Sequence, residues 1–292
     1  MISAVVLLPD TALLVPGAAG RSDPLVGLRA AALDALVGGP VPDLVRVIAP
    51  GRRDRDLVGA RASLAAAGVP STLVPEVGAV GAPVADVPAS VALLLLDAAA
   101  RDAVDGDAVD GDEEDGTVRP AGAGSDAAGT LVVTEVARGS TGTAALRDRG
   151  SRAAGLGPRP GPGGATGTDP RELLVVVGSL SARHGEDAPL AADPRAPETD
   201  SALVTALGEG PDALARVLDA LDPALAVDAL AISGWGPWQV LLGMLAARGR
   251  AEVASCRVLA VTTGSALGSH AVARWDLAPA VPSVRSTGEE SR

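Results

Sequence analysis

A chain of 292 residues with 47% apolar content is long enough to bury the core of one large α/β domain. Its formal charge of −12, with arginine the only residue type that is always cationic, disfavours phosphate backbones and anionic lipid as partners. A single cysteine, Cys256, excludes an intramolecular disulfide and a Cys-rich zinc site, and no run approaches the ~18 apolar residues of a membrane span.

Phe, Tyr, Lys and Asn are all absent, which reads as a high-GC coding bias and leaves Val, Leu and Ala to build the core. Histidine is not excluded to the same extent by such a bias, so the presence of only two, His184 and His270, carries more meaning. The apolar run 2–8 has no basic residue before it and is too short for a signal peptide, so a cytoplasmic protein is expected.

In chain order, residues 2–8 read as a strand buried on both faces, broken by Pro9-Asp10-Thr11-Ala12. Ser22-Asp23-Pro24 predicts a capped helix start, with Leu25, Leu28, Leu33 and Leu36 on one face and Gly38-Gly39 as the stop. A second strand at 44–49 ends at Pro50-Gly51. A helix through Leu57, Ala60 and Leu64, a short strand at 71–74 and an apolar helix at about 88–100 follow. Residues 101–129 are acidic and Gly-rich, and residues 155–170 are nearly all Gly, Pro, Ala and Thr. Both predict flexible insertions.

Between the insertions lie a strand at 130–137 and a helix at 141–154. Beyond them come a strand at 173–177, helices near 200–207, 211–220, 223–231 and 237–247, and strands at 256–261 and 270–275. This alternation predicts an α/β fold: a single domain over residues 1–285, with a mostly parallel central sheet covered by helices on both faces, and a frayed tail at 286–292.

The chemistry is expected where strand 173–177 opens into Gly178-Ser179-Leu180-Ser181-Ala182-Arg183-His184, because parallel sheets place their sites at the carboxyl ends of strands. His184 reads either as an exposed loop residue or as an acid/base group. Ser179 or Ser181 with His184 and Asp187 has the residue types of a hydrolase triad, though such close spacing on one loop rarely gives the geometry. His270, beside Ala271-Val272-Ala273, reads as a satisfied histidine of a strand. Gly234-Trp235-Gly236-Pro237-Trp238-Gln239 reads as a turn into a helix, with Trp238 either a packing anchor or a pocket wall. Gly161-Pro162-Gly163-Gly164 follows no strand and is no phosphate cradle.

Taken together, the 178–184 loop, the continuation Ala188-Pro189…Asp193-Pro194-Arg195…Asp200, the Trp238-Gln239 pair and Leu13-Leu14-Val15-Pro16 after the first strand resemble the class III extradiol (LigB-type, aromatic ring-opening) dioxygenase superfamily, in its divergent actinobacterial branch. The resemblance implies an iron(II) site of two histidines and one carboxylate. The matching positions hold Asp10, Gly51 and the acid-free stretch around Thr263. It therefore implies a family member without its iron ligands, with no cofactor, binding a small molecule or a protein in a pocket of Asp10, Gly51, Ser179, Ser181, Thr263 and Trp238, with His184 as the remaining catalytic candidate. An oligomer is compatible with this reading. Two alternatives stay open. One is an active Fe(II) dioxygenase with ligands relocated to His184, His270 and Asp10. The other is a metal-independent hydrolase using Ser181 and His184.

Overall fold

The computed structural model describes residues 1–107, 130–156, 170–249 and 252–278. Its core is built from short runs of Val, Leu and Ala that bury both faces, the pattern of strands inside a parallel sheet. These are β1 (Ile2–Leu8), β2 (Leu44–Gly51), β4 (Thr130–Ala137) and β5 (Glu172–Val177). With β3 (Arg55–Val58), β6 (Glu252–Ser265) and β7 (Gly268–Ala278) they form one seven-stranded sheet in the order β3-β4-β2-β5-β1-β7-β6. The four central strands are parallel, while β3 and the β6–β7 hairpin join antiparallel at the two edges.

Helices α1 (Val26–Val37) and α2 (Val87–Asp107) contribute Leu28, Ala32, Ala89 and Leu95 to the core on one face. On the other face lie α3 (Thr143–Ala153), α4 (Ala196–Glu209), α5 (Pro211–Ala220) and α6 (Trp235–Ala247). The α/β architecture with both faces covered matches the reading of the sequence. Among the described residues no helix is long and apolar enough to cross a membrane.

The connections position the site. After β1 and β2 the chain leaves toward the α1/α2 face, through Leu14 and Val15 and through Ala60, Ala62 and Leu64. After β4 and β5 it leaves toward the opposite face, through Leu146 and through Leu180 and Ala196. Neighbouring central strands therefore send their chains apart, which opens crevices along the carboxyl edge where ligands of such sheets bind. Register aligns the edge. Leu8 lies beside Val177, which continues to Asp10 beside Ser179, and Gly51 pairs with Ala137. Arg29 of α1 donates to the carbonyls of Leu13 and Leu14, fixing the turn that follows Asp10.

Several local expectations differ from the structure. Residues 57–64 are not a helix. Arg55–Val58 is an edge strand on β4, and Gly59, at φ +63°, turns the chain where the predicted helix would continue. Residues 71–74 form turns, not a strand. The Ser22-Asp23 pair does not cap α1, whose first residue is Val26, and Asp23 pairs with Arg29 instead. Helix α2 runs past residue 100 to Asp107, so the first seven residues of the predicted insertion 101–129 are helical, with an Arg101–Asp97 pair one turn apart. The rest of that insertion, most of 155–170 and the predicted tail at 286–292 fall outside the described residues. Residues 223–231 hold one π-helical turn, Leu225–Ala229.

Two features dominate the packing. Helices α3 and α6 touch backbone to backbone: a Cβ on Gly243 would sit 1.9 Å from the Arg147 carbonyl oxygen, and one on Gly150 2.0 Å from that of Val240. At the amino ends of the strands, Arg46 is fully buried, its Nε 2.9 Å from Glu172 Oε1, while Arg248 reaches Glu172 Oε2 at 3.1 Å. Removing one partner of a buried pair strands the other charge. Glu172→Ala is expected to lower stability by about 3–5 kcal/mol in denaturant unfolding, and pairing it with Arg46→Met should recover most of that loss. Gly243→Ala should also lower the unfolding midpoint, because neither helix backbone can yield without shifting its neighbours.

Candidate functional site at the carboxyl edge

Two imidazole clusters meet where β5, β1 and the β6–β7 hairpin come together. In the first, Ser179 follows β5 and Asp10 follows β1, each one residue past the break in its strand. The Ser179 hydroxyl donates to Asp10 Oδ1 at 2.6 Å, and His270 Nδ1 lies 2.9 Å from the same hydroxyl. His270 Nε2 faces the Leu267 carbonyl at 2.7 Å. A carbonyl only accepts, so Nε2 carries a proton. Ser179 has one hydroxyl proton and two neighbours able to accept it. Every contact is satisfied when His270 is doubly protonated, Nδ1 donating to Ser179 and Ser179 to Asp10. Burial opposes that charge and pushes the His270 imidazole below its ordinary value, while the Leu267 carbonyl and the Asp10 carboxylate pull it upward. In either state both nitrogens of His270 face polar protein atoms at hydrogen-bonding distance.

In the second cluster, His184 Nδ1 lies 2.9 Å from Asp200 Oδ2. Asp200 sits in the first half of α4, fully buried, and its Oδ1 accepts the Ser181 amide at 2.9 Å. The carboxylate is thus fixed by the loop that carries the histidine. His184 keeps part of its ring exposed, and among the described residues its Nε2 has no hydrogen-bond partner. Such a pair holds an imidazole in one tautomer with the far nitrogen presented for proton transfer or ligand contact. The loop is braced from below. Asp193 accepts the Arg195 amide and guanidinium, which holds its carboxyl near a pKa of about 2, and the Asp193 amide donates to the Arg183 carbonyl. The Asp193-Pro194-Arg195 signature is thereby a loop brace.

The predicted site residues separate into groups. Asp10, Ser179 and His184 lie along the β1–β5 end, with Gly264 packed against the His184–Gly185 segment. Ser181 is buried and donates to the Leu230 carbonyl, not toward His184, and Asp187 is exposed, so neither completes a hydrolase triad. Thr263 is exposed within β6. The hairpin turns at Ala266-Leu267, not at 262–264. Trp238 is buried in the core, its ring against Gly234. Cys256 is half-buried beside Gly210, and burial, then Asp276, raises its thiol pKa.

Gly51 belongs to a neighbouring cluster at the ends of β2 and β4. A Cβ there would stand 2.8 Å from Glu135 Cβ and 3.2 Å from carboxylate oxygens of Asp86 and Glu135. Glu135, fully buried, accepts from Arg55 and from the Asp86 amide, and Asp86 accepts the Arg52 amide at 2.6 Å and Arg52 Nε at 2.9 Å. These arginine–carboxylate contacts were not anticipated from the sequence, nor was the role of Asp200.

The residues present do not fit the iron(II) centre of two imidazoles and a carboxylate. Gly51 has no side chain and no room for one, Asp10 is committed to Ser179, and Thr263 brings no carboxylate. Of the alternative ligands, His270 has no nitrogen left. Among the described residues no three His, Cys, Asp or Glu side chains are grouped to hold a metal ion.

No family model matches the chain, and no curated protein matches it. Among solved structures it is similar to an uncharacterized protein, JW3007 from Escherichia coli K12, at 13% identity and a TM-score of 0.42, over 93% of this chain and 99% of that one. A likeness of that order says nothing about the chemistry of the site.

Proposed function

We propose that the carboxyl edge is a metal-independent binding site for a small polar molecule, in an extradiol-dioxygenase-like protein whose iron positions have been replaced. The observation that carries this reading is the His184–Asp200 pair: an oriented imidazole whose Nε2 has no partner among the described residues, placed where a parallel sheet binds ligands and beside positions that cannot assemble a metal centre. A second reading, general acid–base catalysis by His184, rests on the same pair, since a buried carboxylate on Nδ1 readies Nε2 to accept or deliver a proton.

Catechol is a suitable probe, because the sequence resemblance points to hydroxylated aromatics. The same affinity is expected for metal-stripped protein and for protein supplied anaerobically with iron(II), with no oxygen consumed on exposure to air. His184→Gln should weaken binding about tenfold through loss of one hydrogen bond. Stoichiometric iron retention with catechol-dependent oxygen uptake would instead establish the dioxygenase with relocated ligands.

His270 supplies a pH signature. Its folded-state pKa lies below the ordinary imidazole value of 6.5, so the unfolded chain binds the proton more readily. The stability it contributes is complete above about 6.5 and is lost as pH falls from there through the folded-state value. Subtracting the pH–stability curve of His270→Gln from that of the unaltered protein should show a difference confined to that window. A flat difference would mean that the imidazole is not held neutral by burial.

A further inference from the structure

We infer that Ala231 is a strained hinge that keeps the 181–184 loop ready to open, so that the His184 site admits its ligand when the Leu230 carbonyl releases that loop. The inference rests on the reading of the carboxyl edge as a ligand site and concerns how that site is entered. Ala231 has φ +53° and is the one non-glycine residue of positive φ among the described residues. In this left-handed conformation a Cβ crowds the following carbonyl oxygen, whereas glycine adopts it freely. The conformation has a local cause. The π-helical turn Leu225–Ala229 ends here, with the Leu230 amide donating to the Leu225 carbonyl at 2.8 Å and the Ile232 amide to the Ala226 carbonyl at 2.9 Å. A helical turn that stops in this way needs a left-handed residue before its last donor, and glycine is the usual choice. The chain makes that choice elsewhere: Gly68, at φ +79°, closes the Ala65–Ala67 turn, and Gly249, at φ +82°, follows α6. With 36 glycines in the sequence, no shortage of glycine explains an alanine at 231.

The strain sits on a contact to the site. Leu230 and Ile232 are both buried in the core, so the torsion of Ala231 between them sets where the Leu230 carbonyl points. That carbonyl accepts the Ser181 hydroxyl at 2.9 Å and the Ala182 amide at 3.2 Å. The loop is also tied to the body by the Ser181 amide and the His184 imidazole on Asp200, and by the Ser269 amide on the Ser181 carbonyl at 3.3 Å. Beyond these ties the segment closes on itself. The Leu190 amide donates to the Ala182 carbonyl and the Asp193 amide to the Arg183 carbonyl, so it can move as one piece. Loss of the two Leu230 contacts lets Ala231 relax to negative φ, which lowers the free energy of the open loop relative to the closed one. Strain held at a site in this way brings its closed and open states nearer in energy.

The test compares Ala231→Gly and Ala231→Asn with the unaltered full chain by amide hydrogen exchange, denaturant unfolding and stopped-flow mixing with catechol. Glycine relieves the left-handed strain, and its greater freedom in the open loop offsets only part of that gain. Exchange of the Ser181 and Ala182 amides is therefore expected to slow about threefold in Ala231→Gly, with a raised unfolding midpoint and catechol association slowed by a similar factor. Asparagine also tolerates the left-handed region, so Ala231→Asn should act in the same direction. Slowed exchange with no catechol binding would keep the hinge and count against the ligand reading alone. Slowed exchange with unchanged catechol association would overturn the role of the hinge in entry. Slowing confined to core amides such as that of Val175, with Ser181 and Ala182 unchanged, would overturn the inference, because the strain would then be released only by global unfolding. A lowered midpoint in Ala231→Gly, or faster exchange at Ser181 and Ala182, would overturn it as well.

Discussion

The parallel, in-register pairing of four aliphatic strands is the constraint from which the rest of the molecule follows. Parallel strands of this kind stay buried on both faces, so the polar residues that follow them all emerge at one end. Because β1 and β2 release the chain to one face and β4 and β5 to the other, each pair of neighbours parts at that end. Asp10, Ser179, Gly51 and Arg138 are brought level by hydrogen-bond register alone, although 169 residues separate Asp10 from Ser179. The side chains there complete a geometry that the backbone has already set.

Much of the fold was legible in the sequence because the signals were strong and local. The runs at 2–8 and 130–137 coincide with β1 and β4, and Pro211 opens α5 where a proline at the first turn predicts it. The errors fall where local pattern and tertiary context conflict. Leu57, Ala60 and Leu64 have helical spacing, but the positive φ of Gly59 and the free edge of β4 draw Arg55–Val58 into the sheet. The site was legible in part. Asp10, Ser179 and His184 could be named from their place after strands, whereas their partners could not. Asp200 reaches His184 across a loop, and His270 reaches Ser179 from a strand 91 residues away. Nothing in local spacing encodes either contact. A histidine surrounded by Ala and Val in a strand looks inert until the strand's neighbour is known.

Arginine is nearly the whole cationic vocabulary of this protein, and the structure uses it in two ways. Inside, Arg46 closes a buried ion pair at the amino end of the sheet, where its guanidinium satisfies Glu172. Outside, at the carboxyl end, the buried Asp86 carboxylate holds the exposed Arg52 guanidinium at the surface. The same fork thus ties strands together at one pole of the sheet and faces solvent at the other; the carboxylate is buried at both, and the difference lies in whether the arginine is buried with it.

The contact between Gly178 and Gly234 ties the site to the opposite layer. A Cβ on Gly178 would stand 2.3 Å from the Gly234 Cα, and the Gly234 amide donates to the Ser179 carbonyl while Ser233 accepts the Ser179 amide. Ser179 is therefore clamped, through its own main chain, to the first turn of α6, whose Trp235 and Trp238 are among the largest buried side chains of the core. A displacement of that helix is a displacement of the hydroxyl between Asp10 and His270. The tryptophans, buried in the core, work as the anvil of the site: they give it stiffness, and the chain has placed two of its three tryptophans where that stiffness is needed.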